Sequence, residues 1–178
     1  MALPRKQAIS WGTPWRADYM TDKEELGAAR FREALSHWAS GVSVAAVRDE
    51  KRVIATTVTA FLSVSVEPPL VLLSLGPSAQ VLPFLSEGAH FAVSVLADYQ
   101  GRRASVFADA YPVGDPPFPE YGEPFLADAL VHLGCRVERL DRAGDHRLVL
   151  ALVERAELRG GEPLIRYRRS YRRLQGDG

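Results

Sequence analysis

The sequence predicts a mainly β domain: a closed or split antiparallel β-barrel carrying a few short peripheral helices. Three observations lead there: many short apolar stretches of period two, turn residues between them, and no strand–helix–strand rhythm of the kind that builds a parallel sheet. With 178 residues the chain can bury one sizeable core, whereas two domains would each approach the lower limit for independent folding. Hydrophobic residues make up 47% and charged residues 25%, an ordinary globular balance that argues against long disordered tracts.

The chain divides into an N-terminal arm (1–20), the domain proper (21–174) and a short tail (175–178). The arm carries Trp11, Trp15 and Tyr19 between prolines and glycine without a helical or strand period, and reads as a segment that packs on the barrel or on a partner subunit. Thr21 and Glu24 form a capping box, in which the hydroxyl accepts the Glu24 amide N–H and the carboxylate returns to the Thr21 amide. The helix it starts is expected over 22–40, because Phe31, Ala34, Leu35 and Trp38 make one apolar stripe and Gly41 offers a left-handed stop. Val42, Val44 and Ala46 then alternate with Ser43 and Ala45, and an Asp49-Glu50-Lys51 turn leads into a strand over 53–57, which makes a hairpin. Further strands are expected around Phe61 and Val64 and over 70–75, separated by Glu67-Pro68-Pro69, where proline cannot donate to a ladder. Short helical turns follow over 81–85 and 100–108, with a strand over 91–96 between them. Residues 111–124 hold five of the twelve prolines and form a loop. Long strands over 130–140 and 147–158 flank the turn Asp141-Arg142-Ala143-Gly144, and a last strand covers 164–171.

Charge and cysteine content narrow the function classes. Lys plus Arg and Asp plus Glu are both 22, so no net field draws the molecule onto nucleic acid or an anionic membrane. The one cysteine, Cys135, permits no internal disulfide and suits a reducing compartment, so cytoplasm is the expectation. The first 27 residues show no apolar run of signal-peptide length, and the longest apolar stretch, 70–75, is far short of a membrane span. His132 and Cys135 have metal-like spacing without a second pair, and alternation through Val131, Leu133, Cys135 and Val137 makes Cys135 a core thiol. There is no dinucleotide fingerprint and no phosphate-binding loop.

The residues from Thr56 to Ser65 include five hydroxyls between two apolar strands. Threonine favours strands, so a plain β edge accounts for the composition. The alternative is a wall of hydroxyls and amides facing an oxygen-rich ligand such as a phosphate or a ribityl chain. The arginines 166, 168, 169, 172 and 173 crowd the end of the chain around Tyr167 and Tyr171; they read either as a solvated strand end or as a set that meets nucleotide phosphates, and one short basic strand on a neutral protein gives too small a footprint for nucleic acid.

Several stretches in order resemble a known family: Phe31-Arg32-Glu33-Ala34, Trp38-Ala39-Ser40-Gly41-Val42-Ser43-Val44, the segment from Thr57 to Ser65, and Pro68-Pro69-Leu70-Val71-Leu72. Phe91-Ala92-Val93-Ser94-Val95-Leu96, Phe107-Ala108, Ala143-Gly144-Asp145-His146 and Pro163-Leu164-Ile165 up to Tyr171 continue the series. Together they resemble the flavin reductase-like proteins of the FMN-binding split-barrel fold, which supply reduced flavin to two-component monooxygenases. The resemblance implies a homodimer that binds FMN or FAD, takes NADH or NADPH as co-substrate and hands reduced flavin to a partner monooxygenase. Thr57, Val58, Thr59 and Ala60 would contact the ring and ribityl chain, and Ser63, Val64 and Ser65 would continue that wall. Ser74, Leu75, Ser78 and Gln80 match the family's phosphate-side loop, and Phe107 completes the cofactor set. His146, in a Gly-Asp-His turn, would orient nicotinamide or the flavin edge; the cofactors carry the hydride chemistry, so neither a nucleophile nor a metal is required.

Two positions depart from the family pattern: Thr59 stands where Asn is usual, and Ala104 where Ser is usual. Each lost hydrogen bond would remove about 1 kcal/mol from a pocket that makes many. Other readings are a tailoring enzyme that keeps its flavin and acts on a separate organic substrate, and a non-catalytic flavin-binding protein.

Overall fold

The computed structural model describes residues 27–50, 52–109 and 118–174. The arm, the capping box at Thr21 and Glu24, Lys51, much of the proline-rich loop and the tail lie outside the described residues.

Ten strands and two α-helices are described: α1 (Ala28–Ser36), β1 (Ser40–Gly41), β2 (Ser43–Asp49), β3 (Arg52–Val58), β4 (Phe61–Ser65), β5 (Leu70–Leu75), β6 (His90–Val95), α2 (Gly101–Ala108), β7 (Val131–Ala143), β8 (His146–Leu158), β9 (Ile165–Tyr167) and β10 (Ser170–Arg172). Seven strands make one sheet in the order β3-β2-β6-β7-β8-β5-β4, with every neighbouring pair antiparallel. Its concave face supplies one buried cluster: Ala45 and Val47 of β2, Val58 of β3, Leu73 and Leu75 of β5, Val93 of β6, Cys135 and Val137 of β7, and Val149 and Ala151 of β8. Side chains from across a seven-stranded sheet meet in one cluster only if the sheet rolls on itself, as strand twist favours. Val81 and Leu85, flanking a 3-10 turn at Leu82–Phe84, pack into the same cluster.

The roll stops short of closure. The end strands β3 and β4 are consecutive in the chain, joined by Thr59 and Ala60, yet each is hydrogen-bonded only on its other side. The barrel is therefore split along this seam. One step beyond the β4–β5 ladder, the Ser74 amide donates to the Ala60 carbonyl at 2.9 Å, which holds the link against the end of β5.

β2 is buried on both faces, with Val42 before it and Val44 and Ala46 within it turned outward. Those three pack with Ala55 of β3, Ala104 and Phe107 of α2, and Leu96, Leu126, Ala129 and Leu164 into a second buried cluster. This outer layer fixes α2 over β2 and β3, which positions the helix at the seam.

Three expectations shift by a few residues, each for a local reason. α1 ends at Ser36 rather than residue 40: His37 and Trp38 donate to the carbonyls three residues back, and the Ser36 hydroxyl takes the Glu33 carbonyl at 2.7 Å. Gly41 is not a left-handed cap but an extended strand residue opposite Ile165. The β7–β8 hairpin turns on Gly144 and Asp145, because Ala143 still pairs with His146; Gly144, at φ +60°, takes the first central position where a type II′ turn favours glycine. The expected last strand over 164–171 is in fact a hairpin, β9 and β10, which joins β1 in a small three-stranded sheet. The apolar stripe of α1 does not enter the core either: Phe31, Leu35 and Trp38 remain more than half exposed, at 52%, 53% and 77%.

Candidate active site

At the seam the barrel opens into a cavity of about 390 Å3, within the usual range of roughly 300–1,000 Å3 for small-molecule sites. The end of β3 and the link beyond it contribute Thr57, Val58, Thr59 and Ala60. The end of β5 and its following loop contribute Ser74, Leu75 and Ser78, and Phe107 of α2 and His146 of β8 are the other predicted residues that line it.

The polar groups divide by whether the protein already uses them. The Thr57 hydroxyl donates to the Ala104 carbonyl at 2.7 Å and ties β3 to α2. Thr56 Oγ1 accepts the Gln80 amide N–H at 3.3 Å. By contrast, the hydroxyls of Thr59, Ser74 and Ser78 have no hydrogen-bond partner among the described residues. Three uncommitted hydroxyls converging on a concave seam form a donor and acceptor set that fits a polyol or phosphate.

His146 sits where β8 begins, immediately after the tight turn. Its Nδ1 is 2.7 Å from Asp145 Oδ1, an exposed pair in which the carboxylate accepts. That hydrogen bond, with the charge of His146 and of Arg32 behind it, holds the Asp145 carboxyl below the usual carboxylate range. On the other side of the ring lies Gly76: a Cβ there would stand 3.4 Å from His146 Nε2. The absent side chain leaves this nitrogen facing the cavity.

Four predicted residues lie elsewhere. Ser63, Val64 and Ser65 belong to β4, whose register shifts between Ser63 and Ser65 as it runs away from the seam, and none of them lines the cavity. Gln80 braces the wall from behind, with its side-chain Nε2 donating to the Asp109 carbonyl at 2.9 Å. Thr56, Gly76, Ala79, Ala108 and Asp109 line the cavity without having been singled out as site residues. Two of them carried a signal: Thr56 as the first hydroxyl of the threonine- and serine-rich segment, and Gly76 as a glycine directly after an apolar strand. Ala104 is fully buried beneath Thr57 and does not reach the cavity.

A second, more apolar groove of about 910 Å3 shares Thr59, Ala60, Ser74 and His146 with the first. Phe31, Leu35 and Trp38 line it from the α1 side and Phe61, Leu62 and Leu72 from the barrel. The other histidine of this hairpin, His132, is buried away from both cavities and stacks on Phe125. Cys135 faces the barrel core, and burial, with Glu123 and Glu154 behind it, pushes its thiol up to about 12. No helix among the described residues is long and apolar enough to cross a membrane.

Residues 35–175 match the flavin reductase like domain family. The chain belongs to that family. Among its relatives, the reductase component of a 4-hydroxyphenylacetate 3-monooxygenase from Thermus thermophilus is 41% identical over 81% of this chain and 95% of its own length. An NADH-dependent flavin reductase from a Rhodococcus species is 37% identical over 85% of this chain and 89% of its own. The solved structure of the flavin reductase PheA2 in its native state superposes with a TM-score of 0.76 at 32% identity, covering 84% of this chain and 99% of that one. The split barrel of this flavin reductase-like chain is thus the family's fold, and the seam cavity lies within the matched region.

Proposed function

We propose that this protein is an NAD(P)H:flavin oxidoreductase that reduces FMN or FAD and supplies the reduced flavin to a partner monooxygenase. The observation that carries the reading is the seam cavity, with its uncommitted hydroxyls at Thr59, Ser74 and Ser78 beside the half-exposed His146. The relatives named as NADH-dependent flavin reductases and as reductase components of monooxygenases support it.

A flavin held here would supply the acceptor for hydride from the reduced nicotinamide. The chain's own residues align the two. Thr57, Val58, Thr59 and Ala60 line the cavity for ring and ribityl chain, and the end of β5 with Ser78 provides the phosphate side. Phe107, 4% exposed and tilted against Phe118 at 5.6 Å, supplies a rigid apolar wall that keeps water from that side. His146 is held in orientation by Asp145, so that its Nε2 meets the edge of the flavin or nicotinamide, and the gain comes from alignment.

The assembly is a homodimer in this reading. Phe31, Leu35, Trp38 and Leu62 are exposed apolar side chains along one groove, and a second copy would cover part of that surface. Cytoplasm is the proposed compartment, in keeping with a free, buried Cys135.

The purified protein should oxidise NADH or NADPH under air only when FMN or FAD is added, with many turnovers per protein. Failure with both nucleotides and both flavins would overturn the proposal.

A further inference from the structure

Residues 118–130, which lead into β7, form neither helix nor strand, so their main-chain groups need partners from elsewhere in the fold. Side chains supply them. At the downstream end of this strap the Leu126 amide donates to Ser94 Oγ at 3.0 Å, and the Leu126, Ala127 and Asp128 carbonyls accept from His132, Gln100, Arg103 and Tyr99. At the upstream end the carbonyls accept, among the described residues, from Arg48 of β2 alone. Its Nε donates to the Gly122 carbonyl at 2.8 Å, Nη1 to that of Glu120 at 3.2 Å and Nη2 to that of Pro119 at 2.6 Å.

Arginine is used differently elsewhere on this sheet. Arg136 of β7 and Arg155 of β8 pair with carboxylates, whereas the planar fork of Arg48 spreads over three carbonyls with charge-assisted bonds, a reach that a point cation lacks. What those bonds hold is the start of the strap. There Phe118 packs into the outer cluster and against Phe107, with ring centroids 5.6 Å apart and 48° between planes. Phe107 lines the seam cavity, and it sits in the last turn of an eight-residue helix, where carbonyls run out of helical partners and position depends on tertiary packing. Arg48 lines neither the cavity nor the groove beside it.

We infer that Arg48 is a positioning residue for the seam cavity: its three bonds fix the strap, the strap seats Phe118, and Phe118 holds the Phe107 wall in the shape that a bound flavin meets. The inference rests on the flavin reading for the ligand of that cavity; the coupling from Arg48 to Phe107 stands on geometry alone. Part of the affinity for flavin then depends on a cation that touches neither the cofactor nor the reacting atoms.

Arg48→Ala, Phe118→Ala and the double variant form a cycle, read as Kd for FMN or FAD, whichever the wild type binds more tightly, well below the melting temperature of every variant. Each single variant should weaken binding about fivefold. The double variant should bind no more weakly than Phe118→Ala, because Arg48 acts through Phe118. Arg48→Gln, which keeps the stem and one amide donor, should show a smaller loss of the same kind and serves if Arg48→Ala does not fold. Hydrogen exchange without flavin should be faster at the amides of Val106, Phe107 and Ala108 in the Arg48 variants and unchanged in the core of β6 and β7. Arg52→Ala, which removes only the ion pair to Asp49 at the end of the same hairpin, should leave both readouts at the wild-type level. A role confined to stability would lower the melting temperature of Arg48→Ala while leaving flavin Kd and α2 exchange unchanged, and would overturn the inference. So would losses of affinity that multiply in the double variant. If the wild type binds neither flavin, the flavin reading fails, and the exchange measurement still decides whether Arg48 holds the Phe107 wall.

Discussion

The β7–β8 hairpin carries a histidine near each end, and each sits beside a carboxylate. His132 is 3% exposed, stacked on Phe125 with ring centroids 4.6 Å apart and 4° between planes. Its Nε2 donates to the Leu126 carbonyl at 2.9 Å, and its Nδ1 lies 3.7 Å from Glu157. Arg155 lies over Phe125 and pairs with Glu123 and Glu157, so the ring sits inside a cluster whose charges are paired with one another. His146 has the shorter carboxylate contact, to Asp145, but its side chain is 44% exposed and its second nitrogen faces a cavity across a glycine. A carboxylate neighbour therefore does not distinguish the two histidines. What distinguishes His146 is a ring nitrogen that is both unused by the fold and in an exposed side chain at the cavity.

The largest expected effect falls on the satisfied histidine. His132→Ala removes a buried stacked ring and leaves the Leu126 carbonyl with only the longer 3.4 Å bond from the Ala129 amide, which should cost about 3 kcal/mol in denaturant unfolding. The KM for NADH should not move. A variant that keeps full stability but loses activity would break the contrast. Next in size is His146→Ala, which should lower kcat/KM for NADH about tenfold, equivalent to roughly 1.4 kcal/mol of transition-state alignment. Its unfolding free energy should change by less than about 0.5 kcal/mol, as for a surface position. Equal losses of stability in both variants would remove the distinction.

Legibility in the sequence followed how local each signal was. Period-two alternation gave the β2–β3 hairpin and the two long strands, and proline gave the break before β5, because each depends on a few adjacent residues. Gly144-Asp145-His146 is legible as a turn presenting a histidine only through the family resemblance; the residues by themselves place the turn at 141–144, two residues early. The β9–β10 hairpin is not legible, since Arg168 and Arg169, which turn it at positive φ, carry no turn signal and the clamp on their loop comes from the Ser36 carbonyl of α1. Ser63, Val64 and Ser65 looked like a continuation of the Thr56 wall, but the chain reverses at Thr59 and Ala60 and the next strand leaves along the other edge of the split. Seam cavities draw on residues from several strands, and Gly76 and Asp109 enter only when the sheet has rolled.

The smallest effect concerns the clamp behind His146. The Asp145 carboxyl is held below its usual range by the His146 hydrogen bond, so its favourable contribution is present above the ordinary carboxylate pKa of about 3.9 and lost as pH falls through the lowered folded value. The pair is exposed and screened by salt, which keeps the contribution slight. Asp145→Asn lacks it altogether. Melting curves of wild type and variant should differ slightly above pH ~4 and converge in more acid solution, with the gap narrowing at high salt. Catalysis should respond as orientation and not as charge: the variant should lose less kcat/KM than His146→Ala, because an asparagine carbonyl still accepts from Nδ1. A variant as impaired as His146→Ala would mean that the carboxylate itself acts on the substrate, and the orienting role assigned to the Asp145–His146 pair would have to be given up.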